Sequence, residues 1–157
     1  MACIIGMTDA KAKVGYCGIC CESCPVYRLY RDGSEEEQFQ FAFTTRCALD
    51  QIRCEGCRTG DRFVMSKYCM FRRCAKGRGL EACAFCAEFP CETLAAFYEE
   101  GPPSQREALE NSRRIMAIGL DAWLNEASKK WLCEQCGAPL VVGAGQCRAC
   151  GAQRSHR

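Results

Sequence analysis

Thiols are the chemistry this sequence offers in quantity: 17 of its 157 residues are Cys. They fall into two fields, and the later one is the more regular. Cys133-Glu134-Gln135-Cys136-Gly137 and Cys147-Arg148-Ala149-Cys150-Gly151 are matched knuckles. Two residues between thiolates let both sulfurs reach one tetrahedral ion while backbone N–H groups point at them. The Gly after each pair permits the positive φ that so tight a turn needs. Pro139-Leu140-Val141-Val142 followed by Gly143-Ala144-Gly145 reads as a strand and a turn. The expectation is a short β-hairpin zinc ribbon with Cys133, Cys136, Cys147 and Cys150 as ligands. So small a unit has almost no core. Metal binding, worth about 10–16 kcal/mol in small zinc peptides, would then be its folding energy.

The earlier field runs from Cys17 to Cys91. Its candidate ligands are Cys17, Cys21, Cys24, Cys54, Cys57, Cys69, Cys74, Cys83, Cys86 and Cys91, with Cys20 and Cys47 interspersed and Cys3 outside. Cys54–Cys57 and Cys83–Cys86 enclose two residues, Cys69–Cys74 and Cys86–Cys91 enclose four, and no Gly follows the two short pairs. That unevenness keeps a 4Fe–4S cluster open beside further structural zinc. Cys24-Pro25 has the Cys-Pro step of ferredoxin motifs. Cys17-x3-Cys21-x2-Cys24 also matches the spacing of radical enzymes that use S-adenosylmethionine. Those need a large α/β barrel, which 157 residues cannot supply.

The rest of the composition says why such sites are needed. Leu, Ile, Val and Phe number 28, about 18% of the chain and thin for a core. A formal charge of +2 does not fit a disordered polyelectrolyte, so the fold calls for an external staple. No apolar run approaches a membrane span, and Met1 to Ala10 lacks the basic and apolar regions of a secretory signal. The expected location is the cytoplasm, where dense Cys pairs serve metals rather than disulfides. The single His, His156, sits in a basic tail, which nearly excludes catalysis by histidine.

The elements that must position these thiols read as mainly helical. Pro25 to Tyr30 opens a helix directly after Cys24. Ser34 with Glu37 forms a capping box, and the helix is expected to run to about Ile52 with Phe39, Ala42, Phe43 and Arg46–Cys47 on one buried face. Arg58 to Gly79 is irregular. Glu92 to Tyr98 suggests a short helix stopped by Gly101-Pro102-Pro103. A long helix should start at Ser104, boxed by Glu107, and lead to Trp131-Leu132. Leu109, Ser112, Ile115, Met116, Gly119, Leu120 and Trp123 mark its core face, and continuity would place Trp123 and Trp131 on about the same side. The fold expected is a small, metal-stapled, mainly α domain with irregular Cys-rich loops, joined by a long helix to the ribbon. Its units are residues 1–101, 102–132 and 133–157.

An ordered series of motifs carries a resemblance. Tyr16-Cys17-Gly18-Ile19 with Cys21 and Cys24-Pro25 is followed by Cys54-Glu55-Gly56-Cys57 and Cys69-x2-Arg72-Arg73-Cys74-Ala75. Lys76-Gly77, Gly79-Leu80 and Cys83-x2-Cys86-Ala87-Glu88-Phe89-Pro90-Cys91 continue it. The series resembles a prokaryotic cysteine-rich family of unknown function, numbered 3795 among such domains. The resemblance covers roughly residues 14–100, and Ile118-Gly119 with Trp123 extends it to about residue 125. It implies a small, cytoplasmic metal-binding domain with no established activity. The chain departs from the family pattern at Ser66, where a Cys is expected, and at Cys20, which is additional.

Between Arg58 and Arg78 seven basic residues stand against one acid, Asp61. With Phe63, Tyr68 and Phe71 interleaved, this has the look of a nucleic-acid footprint. Compensation of thiolate charge explains it better, because each four-thiolate zinc site leaves about −2 to neutralise. Three such sites would take the whole chain to about −4, a poor general binder of phosphate backbone. The leading expectation is a non-enzymatic module with structural zinc in four-cysteine sites and a protein partner. The alternative is an iron–sulfur electron carrier with zinc in the ribbon. Nucleic-acid binding and a reactive-thiol enzyme follow behind.

Overall fold

A computed structural model describes residues 7–60 and 62–154, with side chains from residue 10 onward. Cys3 and His156 lie outside the described residues. Seven α-helices and no β-strand occur among those described.

The first three helices surround the start of the cysteine field. Helix α1 (Met7–Ala12) precedes it. Helix α2 (Pro25–Asp32) opens with Pro at its first turn, where a missing N–H costs nothing. Helix α3 (Glu35–Thr45) carries the expected capping box: Glu37 N–H donates to Ser34 Oγ at 3.3 Å, and Ser34 N–H donates to the Glu37 carboxylate at 2.8 Å.

Helix α3 is shorter than the sequence suggested and turned differently. Arg46 adopts φ 54° and ends it, and a 3₁₀ turn at Leu49–Ile52 follows. Ala42 is buried as expected, but Phe39 and Phe43 face outward, 56% and 76% exposed. Ile52 folds back beneath the helix and joins Tyr27, Ala42, Cys54 and Phe63 in one cluster, with Phe41 against it. Two apolar stripes of helical period overlapped in this segment, and the returning chain selected the one containing Phe41.

Helix α4 (Met70–Gly77) forms where irregular chain was expected. It buries only Ala75 fully, with Phe71 packed against the cluster of Cys17, Leu94, Tyr98 and Ala108, and its three basic residues interrupt so short an apolar pattern. Helix α5 (Glu92–Glu100) follows Cys91 as expected. Helix α6 (Pro103–Ile118) begins one residue before Ser104, with Pro102 at its cap and no side-chain cap. The anticipated Ser104–Glu107 box is therefore not made, and Glu107 pairs instead with Lys130.

The single long helix is in fact two. Gly119, at φ 85°, ends α6 and caps helix α7 (Leu120–Lys130). Its N–H closes on Ile115 O at 2.8 Å, and its carbonyl accepts from Trp123 N–H at 3.1 Å. Glycine reaches that φ without a Cβ penalty. The turn lets α7 fold against α6, where Arg114 grips Glu126 at 2.6 Å. Trp131 is the residue capping α7, off the helix, yet Trp123 and Trp131 are both buried.

The β-hairpin of the ribbon is not formed either. Isolated antiparallel bridges, Leu132 with Pro139 and Gln146 with Gln153, replace it. Proline removes a ladder donor at 139, and Val142 N–H bonds outward to Ser23 O at 2.9 Å. One cluster joins Val14, Cys20 and Ala82 to Ile115, Trp123 and Trp131 and continues into Cys133, Leu140 and Cys147. The C-terminal knuckles are thus part of the core that α6 and α7 cover.

Candidate metal centre

The two knuckles are near copies. Cys133 N–H donates to Ala138 O and Gly137 N–H to Cys133 O, both at 2.8 Å. Cys147 N–H donates to Ala152 O at 2.8 Å and Gly151 N–H to Cys147 O at 2.9 Å. Gly137 and Gly151 have φ 71° and 72°, the conformation expected of them. The four sulfurs all lie within 4.8 Å of one another, and Cys133–Cys150 and Cys136–Cys147 are each 3.7 Å apart. Four sulfurs about 2.3 Å from one tetrahedral ion are separated by about 3.8 Å. The group is placed to hold a single metal ion.

Its electrostatics suit that role. The Cys150 and Ala149 N–H groups draw the Cys147 thiol down to about 7. The Ala138 N–H favours the Cys136 thiolate, but neighbouring thiols, Cys150 first, push Cys136 up to about 12. One thiolate is therefore prepared, and a cation replaces the protons the others share. Around the group, Arg148 reaches Glu37 of the α3 capping box, and Arg154 lies 4.3 Å over the Trp131 ring.

In the N-terminal field the sulfurs are spread more widely. Among the described residues no three of them come within 4.8 Å of one another. They form two groups with a bridge. The first is Cys21, Cys24, Cys54 and Cys57. Cys57 N–H donates to Cys21 Sγ at 3.3 Å, and Cys57 lies within electrostatic reach of Cys24 and Cys54. Burial pushes Cys24 up to about 11, opposed by N–H donors from Tyr27 and Val26 in the first turn of α2. Cys57 is drawn down by its bond with Cys21 and by Arg58, Arg62 and Arg72. The Nε atoms of Arg62 and Arg72 are buried without a hydrogen-bond partner, as suits guanidinium groups facing thiolate charge.

The second group is Cys74, Cys83, Cys86 and Cys91, which line one small cavity with Phe71, Leu80, Phe89 and Leu94. Cys17 and Cys69 stand between the groups. Cys17 Sγ is close to Cys57 Sγ across Gly15 and feels Cys69 and Cys83 as well. Three of these cysteines, Cys24, Cys69 and Cys91, are N-caps of α2, α4 and α5. Each cap places its residue at the positive end of a helix. Cys20 instead packs with Val14, Ala82 and Trp123, and Cys47 meets Thr45 Oγ1 at 3.0 Å.

Several cations of the basic stretch are held by partners within the protein. Arg58 donates to Val14 O at 2.8 Å and to Glu81 O, and stacks 4.0 Å over the Tyr16 ring. Arg78 donates to Cys86 Sγ at 3.4 Å and pairs with Glu88 at 2.8 Å.

One set of positioning residues escaped the sequence reading. Tyr98 Oη donates to Cys17 O at 3.0 Å, Ser112 Oγ to the same carbonyl at 3.2 Å, and Asn111 Nδ2 to Gly18 O at 2.9 Å. This buried latch fixes the Cys17 loop on α5 and α6. The available signal was Ser112, a polar residue within an otherwise apolar helical stripe.

Fold and centre together define a small, helical, cysteine-rich protein with a four-Cys group placed for a metal ion. The chain belongs to the family described as "Protein of unknown function (DUF3795)", whose model matches residues 13–96, just over half its length. The match stops short of Ile118, Gly119 and Trp123 and does not reach the C-terminal knuckles. No curated protein and no solved structure matches the chain. Among the described residues no helix is long and apolar enough to cross a membrane.

Proposed function

We propose that this is a non-enzymatic, cytoplasmic metal-binding protein in which zinc at Cys133, Cys136, Cys147 and Cys150 staples the C-terminus to the helical body. The 3.7 Å sulfur spacing carries this reading, because it equals the edge of a tetrahedral zinc–thiolate site to about 0.1 Å. Zinc has no redox chemistry of its own, and a closed four-thiolate shell leaves no open position for substrate. The role is then scaffolding. The outward Phe39 and Phe43 of α3, a turn apart and more than half exposed, give a protein partner apolar surface to cover. The basic stretch serves the N-terminal thiolates, which argues against nucleic acid as that partner.

For the N-terminal field the wider sulfur spacing favours an iron–sulfur centre over additional mononuclear zinc. Sulfurs that bind different irons of one cluster stand further apart than sulfurs sharing an ion. Zinc, iron and acid-labile sulfide should be measured on anaerobically purified protein, beside Cys136→Ser. About one zinc per chain, lost in the variant, supports the zinc staple. A wild-type chain without zinc overturns it.

A further inference from the structure

Helices α4 and α5 and the turn between them build a cavity whose walls alternate between two chemistries. Cys74 comes from α4, Cys83 from the 3₁₀ turn Cys83–Phe85, Cys86 from just beyond that turn, and Cys91 from the cap of α5. Phe71, Leu80, Phe89 and Leu94 fill the intervals. The cavity measures about 40 Å³, whereas one water needs roughly 10–15 Å³.

We infer that Cys74, Cys83, Cys86 and Cys91 hold one iron–sulfur cluster of the 4Fe–4S type in this cavity. Three observations meet there. First, four thiols line one void, yet no three sulfurs approach within 4.8 Å. In the C-terminal centre all four sulfurs lie within 4.8 Å of one another, two pairs of them at 3.7 Å, around the position of a single ion. Second, apart from the thiols and from Glu88, whose carboxylate Arg78 pairs at 2.8 Å, the wall is apolar: Leu94 is 2% exposed and Ala75 1%, so solvent is kept from the back of the site, as sulfide-bridged iron requires for stability. Third, Arg78 Nη1 donates to Cys86 Sγ at 3.4 Å from the solvent side. A cluster of two ferric and two ferrous irons on four thiolates carries about −2, and a guanidinium at a ligand sulfur offsets part of it and tunes the potential.

The inference rests on the iron–sulfur reading of the N-terminal field, and it is independent of the zinc staple. The test uses the full chain reconstituted anaerobically with ferrous and ferric iron in equal amounts and sulfide, so that two ferric and two ferrous irons assemble with four sulfides and no oxidant is needed. The expected result is about four irons and four sulfides per chain at this site, with absorption near 400 nm. Cys83→Ser and Cys91→Ser should each lose that absorption and the matching iron and sulfide while keeping the C-terminal zinc. Cys136→Ser should do the reverse, which separates failure here from failure of the zinc reading. Absorption that survives Cys83→Ser and Cys91→Ser but disappears in Cys54→Ser would move the cluster to the other group and overturn the assignment. So would zinc filling these cysteines without sulfide. Should the serine variants not fold, Arg78→Gln decides, since Arg78 is half exposed. The cluster should remain, with its reduction potential lowered by loss of a donor and a positive charge, and an unchanged potential overturns the placement.

Discussion

Replacing Trp131 by Ala should release the C-terminal knuckles from the helical body without emptying their metal site. Trp131 is 3% exposed, packs in the cluster shared by α7, Leu140 and Cys133, and lies beneath Arg154. Truncating a buried Trp to Ala costs about 3–5 kcal/mol, and the lost cation–π contact adds about 0.5–1 kcal/mol. Beside the apolar packing left at Leu140, Val142 and Cys147, two polar contacts hold the dock. The Val142 N–H bond to Ser23 O contributes about 0.5–1.5 kcal/mol, and the solvent-screened Arg148–Glu37 pair adds little. The metal, at about 10–16 kcal/mol in comparable peptides, far exceeds the loss, so the knuckles stay folded around it. Amide exchange on the zinc-loaded chain reads both events. Val142 N–H should exchange about 100-fold faster or more, since each 1.4 kcal/mol is about tenfold. Cys133 and Cys147 N–H, bonded inside the knuckles, should stay protected. Zinc loss on substitution, or an unchanged Val142 rate, would refute the reasoning.

Four other outcomes follow from local geometry. Gly18→Ala should destabilise by more than about 3 kcal/mol in chemical denaturation, because its Cβ would strike Ser112 Oγ and Ala108 O at φ 89°. Gly137→Ala has the same strained sign of φ but open space, and should cost about 1–2 kcal/mol in the same assay. Zinc affinity, measured by chelator competition, should rise with pH. Cys136, held up near about 12, must give up a proton at any neutral pH. Cys147, drawn down to about 7, adds a further proton only as pH falls through that value. The plot of affinity against pH should therefore steepen below about pH 7, and a constant slope would contradict the Cys147 environment. Ser34→Ala removes the cap that Glu37 N–H uses and should cost about 1 kcal/mol in thermal unfolding, with zinc content unchanged.

What could be read from the sequence was whatever chemistry enforces locally. The knuckles at Cys133 and Cys147 were legible because two-residue spacing and a following Gly admit few backbone paths. The Ser34–Glu37 cap was legible because both halves of the interaction lie within one turn. The mistakes arose where two local patterns competed and a distant partner decided. Ser104 and Glu107 satisfy the capping pattern, but Pro103 is already preset for the first turn, and Glu107 finds Lys130 on α7. Gly119 was counted as one small residue in an apolar stripe, when its freedom at φ 85° lets α7 fold back.

The same distinction explains why grouping the N-terminal cysteines required coordinates. A ligand set in the C-terminal centre is contained within 18 residues, Cys133 to Cys150. The set Cys21, Cys24, Cys54 and Cys57 spans the whole of α2 and α3. The cavity set is brought together by α4, which sequence periodicity did not reveal. Helix caps then supply what spacing does not. Cys24, Cys69 and Cys91 each occupy a position where Ser, Thr, Asp or Asn is preferred, and a thiolate there can use the same N–H groups. Each such helix has sulfur at its positive end, while the charges of Arg58, Arg62 and Arg72 favour the Cys57 thiolate. On the metal-binding reading proposed above, a chain with few large apolar residues gathers its loops around thiolates, and its helix ends and arginines would make that charge tolerable.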